Sequence, residues 1–183
     1  MKRIVRLVSL ALVLALCAAL LTGCGPFKRI DDNEEEIQFV ADGGTITFPE
    51  GFSPVGKRNS VETVRMDSTL CAAFTQISVS SRSTDYFYPG SDTLTVVAQG
   101  DAGGSMLKSF RVNLWKRTDT GTEWVDTLYF RTDNTVGTGT FTGLDTNSRY
   151  RISVAFSGAT TSCTGSFNVS PIVLDTSSSA EGE

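Results

Sequence analysis

Residues 109–117, SFRVNLWKR, and 150–156, YRISVAF, change polarity at every second position. Phe110, Val112 and Leu114 share one side of an extended chain, against Arg111, Asn113, Trp115 and Arg117 on the other. Tyr150, Ile152, Val154 and Phe156 alternate in the same way with Arg151, Ser153 and Ala155. A period of two belongs to a strand, because successive side chains leave a pleated backbone on opposite faces. On a helix the same apolar groups would scatter round the circumference. One dry face and one wet face point to antiparallel pairing.

The pattern continues on both sides of these runs. Short segments rich in Val, Thr, Phe, Tyr and Ile, punctuated by Gly, Ser, Thr and Asp, predict strands over 37–40, 45–48, 73–81, 93–99, 109–116, 123–130, 137–141, 150–156 and 166–169. No long segment repeats at the helical period, and strands at this spacing with turn chemistry between them suggest an antiparallel sandwich. Residues 49–70 read as a long loop with one strand around 61–66. If the loop over 118–121 closes a hairpin of even length, Trp115 lies opposite Trp124, both on the face away from Leu114 and Val125.

Residues 110–114, FRVNL, with the hairpin to Glu123, Trp124 and Val125, resemble the C–C′ ribbon of fibronectin type III modules. Residues 144–154, LDTNSRYRISV, are similar to that family's E–F corner, where a leucine stands six residues before a tyrosine that opens an alternating strand. The resemblance implies a tyrosine corner, in which the Tyr150 hydroxyl bonds the backbone a few residues upstream. It also implies strand B at 93–99 and strand G at 166–169. It covers about 92–169, half the chain beyond the leader. The family's core tryptophan on strand B is missing, and Val97 or Ala98 stands near its place. The fold class expected is all-β: an antiparallel immunoglobulin-like or fibronectin type III-like sandwich (92–175) with extra N-terminal strands from a β segment at 37–91. The resemblance implies a spacer or recognition module, and it carries no ligand motif, since residues 157–164 lack Arg-Gly-Asp.

The chain opens on MKRIVRLVSLALVLALCAALLTGC. Lys2, Arg3 and Arg6 precede fifteen uncharged, mainly apolar residues at 7–21. That run is shorter than the ~20 residues a spanning helix needs and suits a cleaved export signal. Residues 21–24, LTGC, resemble the lipobox of bacterial lipoproteins, which implies cleavage of 1–23 and a diacylglyceryl group on Cys24. Two or three acyl chains hold firmly where one holds only marginally, at about 0.8 kcal/mol per buried CH₂. Residues 24–36 then form a lipidated acidic tether, with five acids at 31–36 that stay solvated. The small and charged residues 176–183 form a disordered tail. The expected location is a cell membrane or outer membrane, on the extracytoplasmic face.

Beyond the leader, 13 Lys+Arg face 20 Asp+Glu. An acidic chain with no basic cluster on any one strand argues against nucleic-acid binding. The sequence holds no histidine, which removes Ser-His-Asp and Cys-His catalysis and nearly all catalytic zinc sites. Of four cysteines, Cys17 leaves with the signal and Cys24 takes lipid. Cys71 and Cys163 remain, and an even pair outside the cytoplasm favours a disulfide. Closing about 92 residues, it would contribute roughly 4 to 5 kcal/mol. Two buried free thiols are the alternative.

Three motifs are weighed and set aside. Residues 51–58, GFSPVGKR, fall one residue short of a phosphate-binding loop, because Arg58 replaces the Mg²⁺-reaching hydroxyl. Ser105 and Lys108 match a Ser-x-x-Lys pair, which works only on a helix. Asp85 with Asp92, or Asp42 with Asp67, lack the Asp-x-Asp-x-Asp spacing of a calcium loop. No cofactor, no metal and no enzymatic activity are expected. The binding candidates are aromatic: Trp115 and Trp124 on the hairpin, and Tyr86, Phe87 and Tyr88 ahead of a Pro-Gly turn. The tryptophans either stack on a sugar or anchor a partner, or lie covered by N-terminal strands or by the stems of Arg111 and Arg117. The second cluster is either a binding lip or a plug at one end of the sandwich. The expected role is therefore a non-catalytic module for binding or presentation at the envelope, its partner a protein or a glycan. The alternatives are a structural part of a larger envelope complex, or an accessory to a carbohydrate-active enzyme.

Overall fold

A computed structural model describes residues 37–174. The signal 1–23, Cys24 with the tether 24–36, and the tail 176–183 lie outside the described residues. Those described form twelve strands and no helix. They are β1 (Ala41–Asp42), β2 (Ser60–Met66), β3 (Thr69–Ile77), β4 (Arg82–Ser83), β5 (Phe87–Pro89), β6 (Leu94–Asp101), β7 (Ser109–Thr118), β8 (Gly121–Arg131), β9 (Gly137–Phe141), β10 (Tyr150–Ala155), β11 (Cys163–Ser170) and β12 (Ile172–Leu174). One sheet runs β1-β9-β6-β11-β3-β2; the other runs β12-β5-β10-β7-β8, with β4 also paired to β10. The strand pairs are antiparallel, and the two sheets enclose one core. The fold is an antiparallel β-sandwich.

The alternating residues meet where their period requires. Phe110, Val112 and Leu114 of β7, Ile152 and Val154 of β10, and Leu94, Val96 and Ala98 of β6 are all fully buried. Phe74, Phe110 and Phe130 pack as a run of rings with centroids 5.3 and 5.4 Å apart. Each such pair contributes about 0.5 to 1.5 kcal/mol beyond its area. Space for the run comes from two glycines, Gly100 and Gly165, which face each other across β6 and β11. A Cβ on Gly100 would lie 2.7 Å from the Phe110 ring. The tyrosine corner is present, with the Tyr150 hydroxyl accepting from Asp145 N at 3.1 Å above a buried Leu144. Hydrogen bonds from Ser148 and Asn147 close that loop and lower the pKa of the Asp145 carboxyl.

The N-terminal β segment does not stand apart. Strands β2 and β3 extend the first sheet, while β4 and β5 join the second. The strand read as G, now β11, also differs in place. In an immunoglobulin-type sandwich G lies in the sheet that holds C and F, whereas β11 pairs β6 and β3 in the other sheet. The edge of β10 is taken instead by β5, which pairs β12.

Two expected strands are corrected. Residues 45–48 join no ladder, because the side chain of Asn168 supplies their partner: Thr47 N donates to its Oδ1 at 2.7 Å, and its Nδ2 donates to Thr47 O at 2.9 Å. An amide side chain thus does the work of a neighbouring strand and satisfies a backbone that would otherwise lie unpaired. Over 37–40 the only bridge is a single parallel one from Phe39 to Tyr129. A third expected strand, 73–81, is observed as β3 from Thr69 to Ile77, so residues 49–70 hold β2 in a loop and also the start of β3.

The disulfide is a further correction. Cys71 and Cys163 are buried free thiols. They lie in one sheet, where Cys163 pairs with Ile77 while Cys71, six residues back along β3, pairs with Asn168. At ~3.3 Å per residue they stand roughly 20 Å apart, beyond the ~7 Å limit for a bridge. The disulfide expectation rested on parity and compartment, neither of which carries geometry. Burial, with Asp101 nearby, pushes the Cys163 thiol up to about 12, and burial raises Cys71 as well. Both thiols are therefore expected to ignore a thiol reagent at neutral pH until denaturant is added. Reduction should leave the melting midpoint where it was.

Candidate binding face

The outward face of β7, β8 and β10 is assembled in cross-strand rows. Trp124 pairs with Trp115, and Trp115 pairs with Arg151. The next row is Thr127, Asn113, Ser153 and Ser83. The hairpin register beside the turn is the even-length one, but it does not persist. Leu114 lies opposite Asp126, and Val125 is the extra residue of a β-bulge. The expected Leu114–Val125 pair is absent for that reason. One inserted residue exchanges the two faces of all that follows. Trp124 thus stays outside although it shares sequence parity with Phe130, which is fully buried opposite Phe110.

The indoles are fixed by a closed set of hydrogen bonds. Trp115 Nε1 donates to Ser153 Oγ at 2.8 Å, and Asn113 Nδ2 donates to the same oxygen at 3.2 Å. Trp124 Nε1 donates to Thr127 Oγ1 at 3.0 Å, whose hydroxyl donates to Asn113 Oδ1 at 2.8 Å. Trp115 is half-buried in this arrangement. Trp124 is 54% exposed, so neither N-terminal strands nor arginine stems cover it. Together they border a groove of about 410 Å³ that Arg111 and Ser157 also line.

The second aromatic cluster divides. Phe87 is buried opposite Tyr150 and belongs to the core, which corrects its reading as a contact residue. Tyr86 and Tyr88 are half-buried and ringed by arginines. The guanidinium carbons of Arg117 and Arg151 lie 5.4 and 5.3 Å from the Tyr86 centroid. That of Arg149 lies 5.8 Å from Tyr88, whose hydroxyl accepts from Arg149 Nε at 3.1 Å. Arg151 is thereby shared between the two candidate clusters, facing Trp115 on one side and Tyr86 on the other.

This arginine group escapes a reading made one strand at a time. Arg111 and Arg117 lie on β7 and Arg151 on β10, so no single run looks basic. Their outward parity, visible in both strands, was the available signal. Among the described residues, the ion pairs are Lys116 with Asp145 at 3.9 Å and Arg131 with Asp42 at 3.5 Å. Arg111, Arg117 and Arg151 form no ion pair with a carboxylate of the described residues. Arg151 Nε is buried without a hydrogen-bond partner.

The Ser105/Lys108 pair lies in the loop between β6 and β7, where no helix stacks the two residues. Ser105 Oγ accepts from Leu107 N at 3.1 Å and bonds Thr161 Oγ1 at 3.2 Å. Residues 51–58 likewise precede a strand, β2, and no helix.

No family model and no curated protein sequence matches the chain. Among solved structures, a Glycosylation Associate Protein (Gap123) complex from Streptococcus agalactiae is similar at 11% identity with a TM-score of 0.33. That likeness covers 74% of this chain and 45% of the other, and at this level it carries no argument.

Proposed function

We propose that the chain is an extracytoplasmic lipoprotein, tied to a membrane through Cys24, whose β-sandwich is a non-catalytic module for binding or presentation at the cell envelope. The observation that carries the binding half is Trp124. A large ring more than half exposed, held in one orientation by a saturated hydrogen-bond set, is placed for contact with something outside the molecule. Had the indole served only the sheet, burial against a neighbouring strand would have been the more stable arrangement. The membrane half is supported by the leader and the residues 21–24, LTGC. The partner on this reading is a glycan or a protein of the envelope.

Replacing Cys24 by Ala tests the anchor. In the native host the variant should lose acyl labelling and leave the membrane fraction or accumulate as precursor. Normal fractionation of Cys24→Ala would overturn the anchored reading.

A further inference from the structure

The face that carries Trp124 is chemically lopsided. The whole chain has 20 acids against 16 bases, yet Arg111, Arg117 and Arg151 gather on this one surface with no carboxylate of the described residues in ion-pair contact. Two of them share a single tyrosine ring. Each guanidinium centre lies within 5.4 Å of the Tyr86 centroid, so two like charges are held at one ring, at most about 11 Å apart. An exposed cation–π contact offsets only about 0.5 to 1 kcal/mol. Arg151 Nε lacks any acceptor, and a buried unpaired donor is uncommon in a native fold.

We infer that this face binds an acidic glycan, a saccharide chain carrying carboxylate groups. A sugar ring lies on the Trp124 indole and a carboxylate of the same chain reaches the guanidinium of Arg151, with Arg117 or Arg111 serving a neighbouring residue. The inference rests on the reading of the sandwich as a binding module and names what it takes.

Geometry favours this occupant over others. Trp124, Trp115 and Arg151 occupy one row on adjacent strands, so the backbones that carry ring platform and cation are two strand spacings apart, about 10 Å. The polar groups between the indoles are engaged with one another, and Arg111 Nη2 donates to Ser157 Oγ at 2.9 Å, which leaves the indole plane and the guanidinium groups of Arg117 and Arg151 as the free chemistry. A planar apolar surface suits the C–H face of a pyranose, and a guanidinium fork matches a carboxylate with two parallel hydrogen bonds. An extended acidic peptide can add its backbone to a sheet edge, and the edge here is β8, which carries Trp124, whereas Arg117 and Arg151 stand on the interior strands β7 and β10. A ligand that reaches from Trp124 to Arg151 has to lie across side chains. Because the indoles are already locked, binding loses little rotamer freedom.

The test uses the full chain in detergent with three probes, followed by calorimetry and tryptophan fluorescence. Oligogalacturonate should bind and perturb the indole emission. Its methyl ester, with the same rings and no charge, should bind at least tenfold more weakly. Arg151→Gln should bring the uronate down to the level of the ester, and Trp124→Ala should weaken both by tenfold or more. Far-UV circular dichroism checks that each variant is folded, and the acid-against-ester comparison stands even if a variant is not. Equal binding of acid and ester would overturn the acidic-glycan assignment, as would a folded protein that ignores both. Tighter binding of an oligoglutamate peptide, or of oligothymidylate, would overturn it while leaving a binding module in place.

Discussion

Phe110→Ala should lower the free energy of unfolding by about 3 to 5 kcal/mol, the range for removing a buried aromatic ring from a core. The ring is fully buried. It stands in the middle of the Phe74–Phe110–Phe130 run, in contact with both neighbours. The cavity left behind has little chance to collapse, because the backbone of Gly100 already lies against the ring and has no side chain to move inward. At ~2 to 4 °C per kcal/mol for a domain of this size, the melting midpoint should fall by about 6 to 20 °C. Urea unfolding followed by tryptophan emission measures it, with an unchanged slope against denaturant showing that the folded state is intact. A loss near 1 kcal/mol would mean that the ring run does not hold the sheets together.

The second large effect comes from adding one methyl group. In Gly165→Ala the new Cβ would lie 2.1 Å from Gln99 O, 2.6 Å from Phe74 Cζ and 2.8 Å from the Cα of Gly100. Two of those three neighbours are backbone, so relief requires parting β11 from β6 in the centre of the sheet. The loss should be about 3 kcal/mol or more, at or above the upper end for overpacking. Gly143→Ala is the control. It has open space around it and a φ of 72°, so it incurs only the left-handed penalty of about 1 kcal/mol. Equal losses in the two variants would place the effect in glycine's backbone freedom and not in the close approach of β6 and β11.

The sandwich was legible because most of its long strands bury one face, and period two is clear in 109–114 and 150–156. The corner at Tyr150 was legible too, since its spacing is local. What escaped depends on partners distant in sequence. Strands β5 and β12 have three residues each, too few to show a period. The ladder position of 45–48 is taken by the Asn168 side chain, 121 residues away from Thr47. The bulge at Val125 hides in the parity shared by Trp124 and Phe130: a strict strand cannot keep one out and the other in. For the candidate face, the tryptophan pair followed from hairpin register, whereas the arginine group needed β7 and β10 to be set side by side. Phe87 was misassigned because an aromatic next to two others looks like part of their cluster, when strand alternation sends it the opposite way.

The position of β11 bears on how the molecule can be made. It begins at Cys163 and lies between β3 and β6, so the first sheet lacks its middle until nearly the last described residue exists. A chain emerging amino end first exposes β3 and β6 as two open borders, with a slot between them and nothing yet synthesised to fill it. Assembly must wait for the far end, and loop-closure entropy over such separations makes that step slow. Truncation just before Cys163 should therefore yield aggregation-prone material and not a smaller, folded version of the protein.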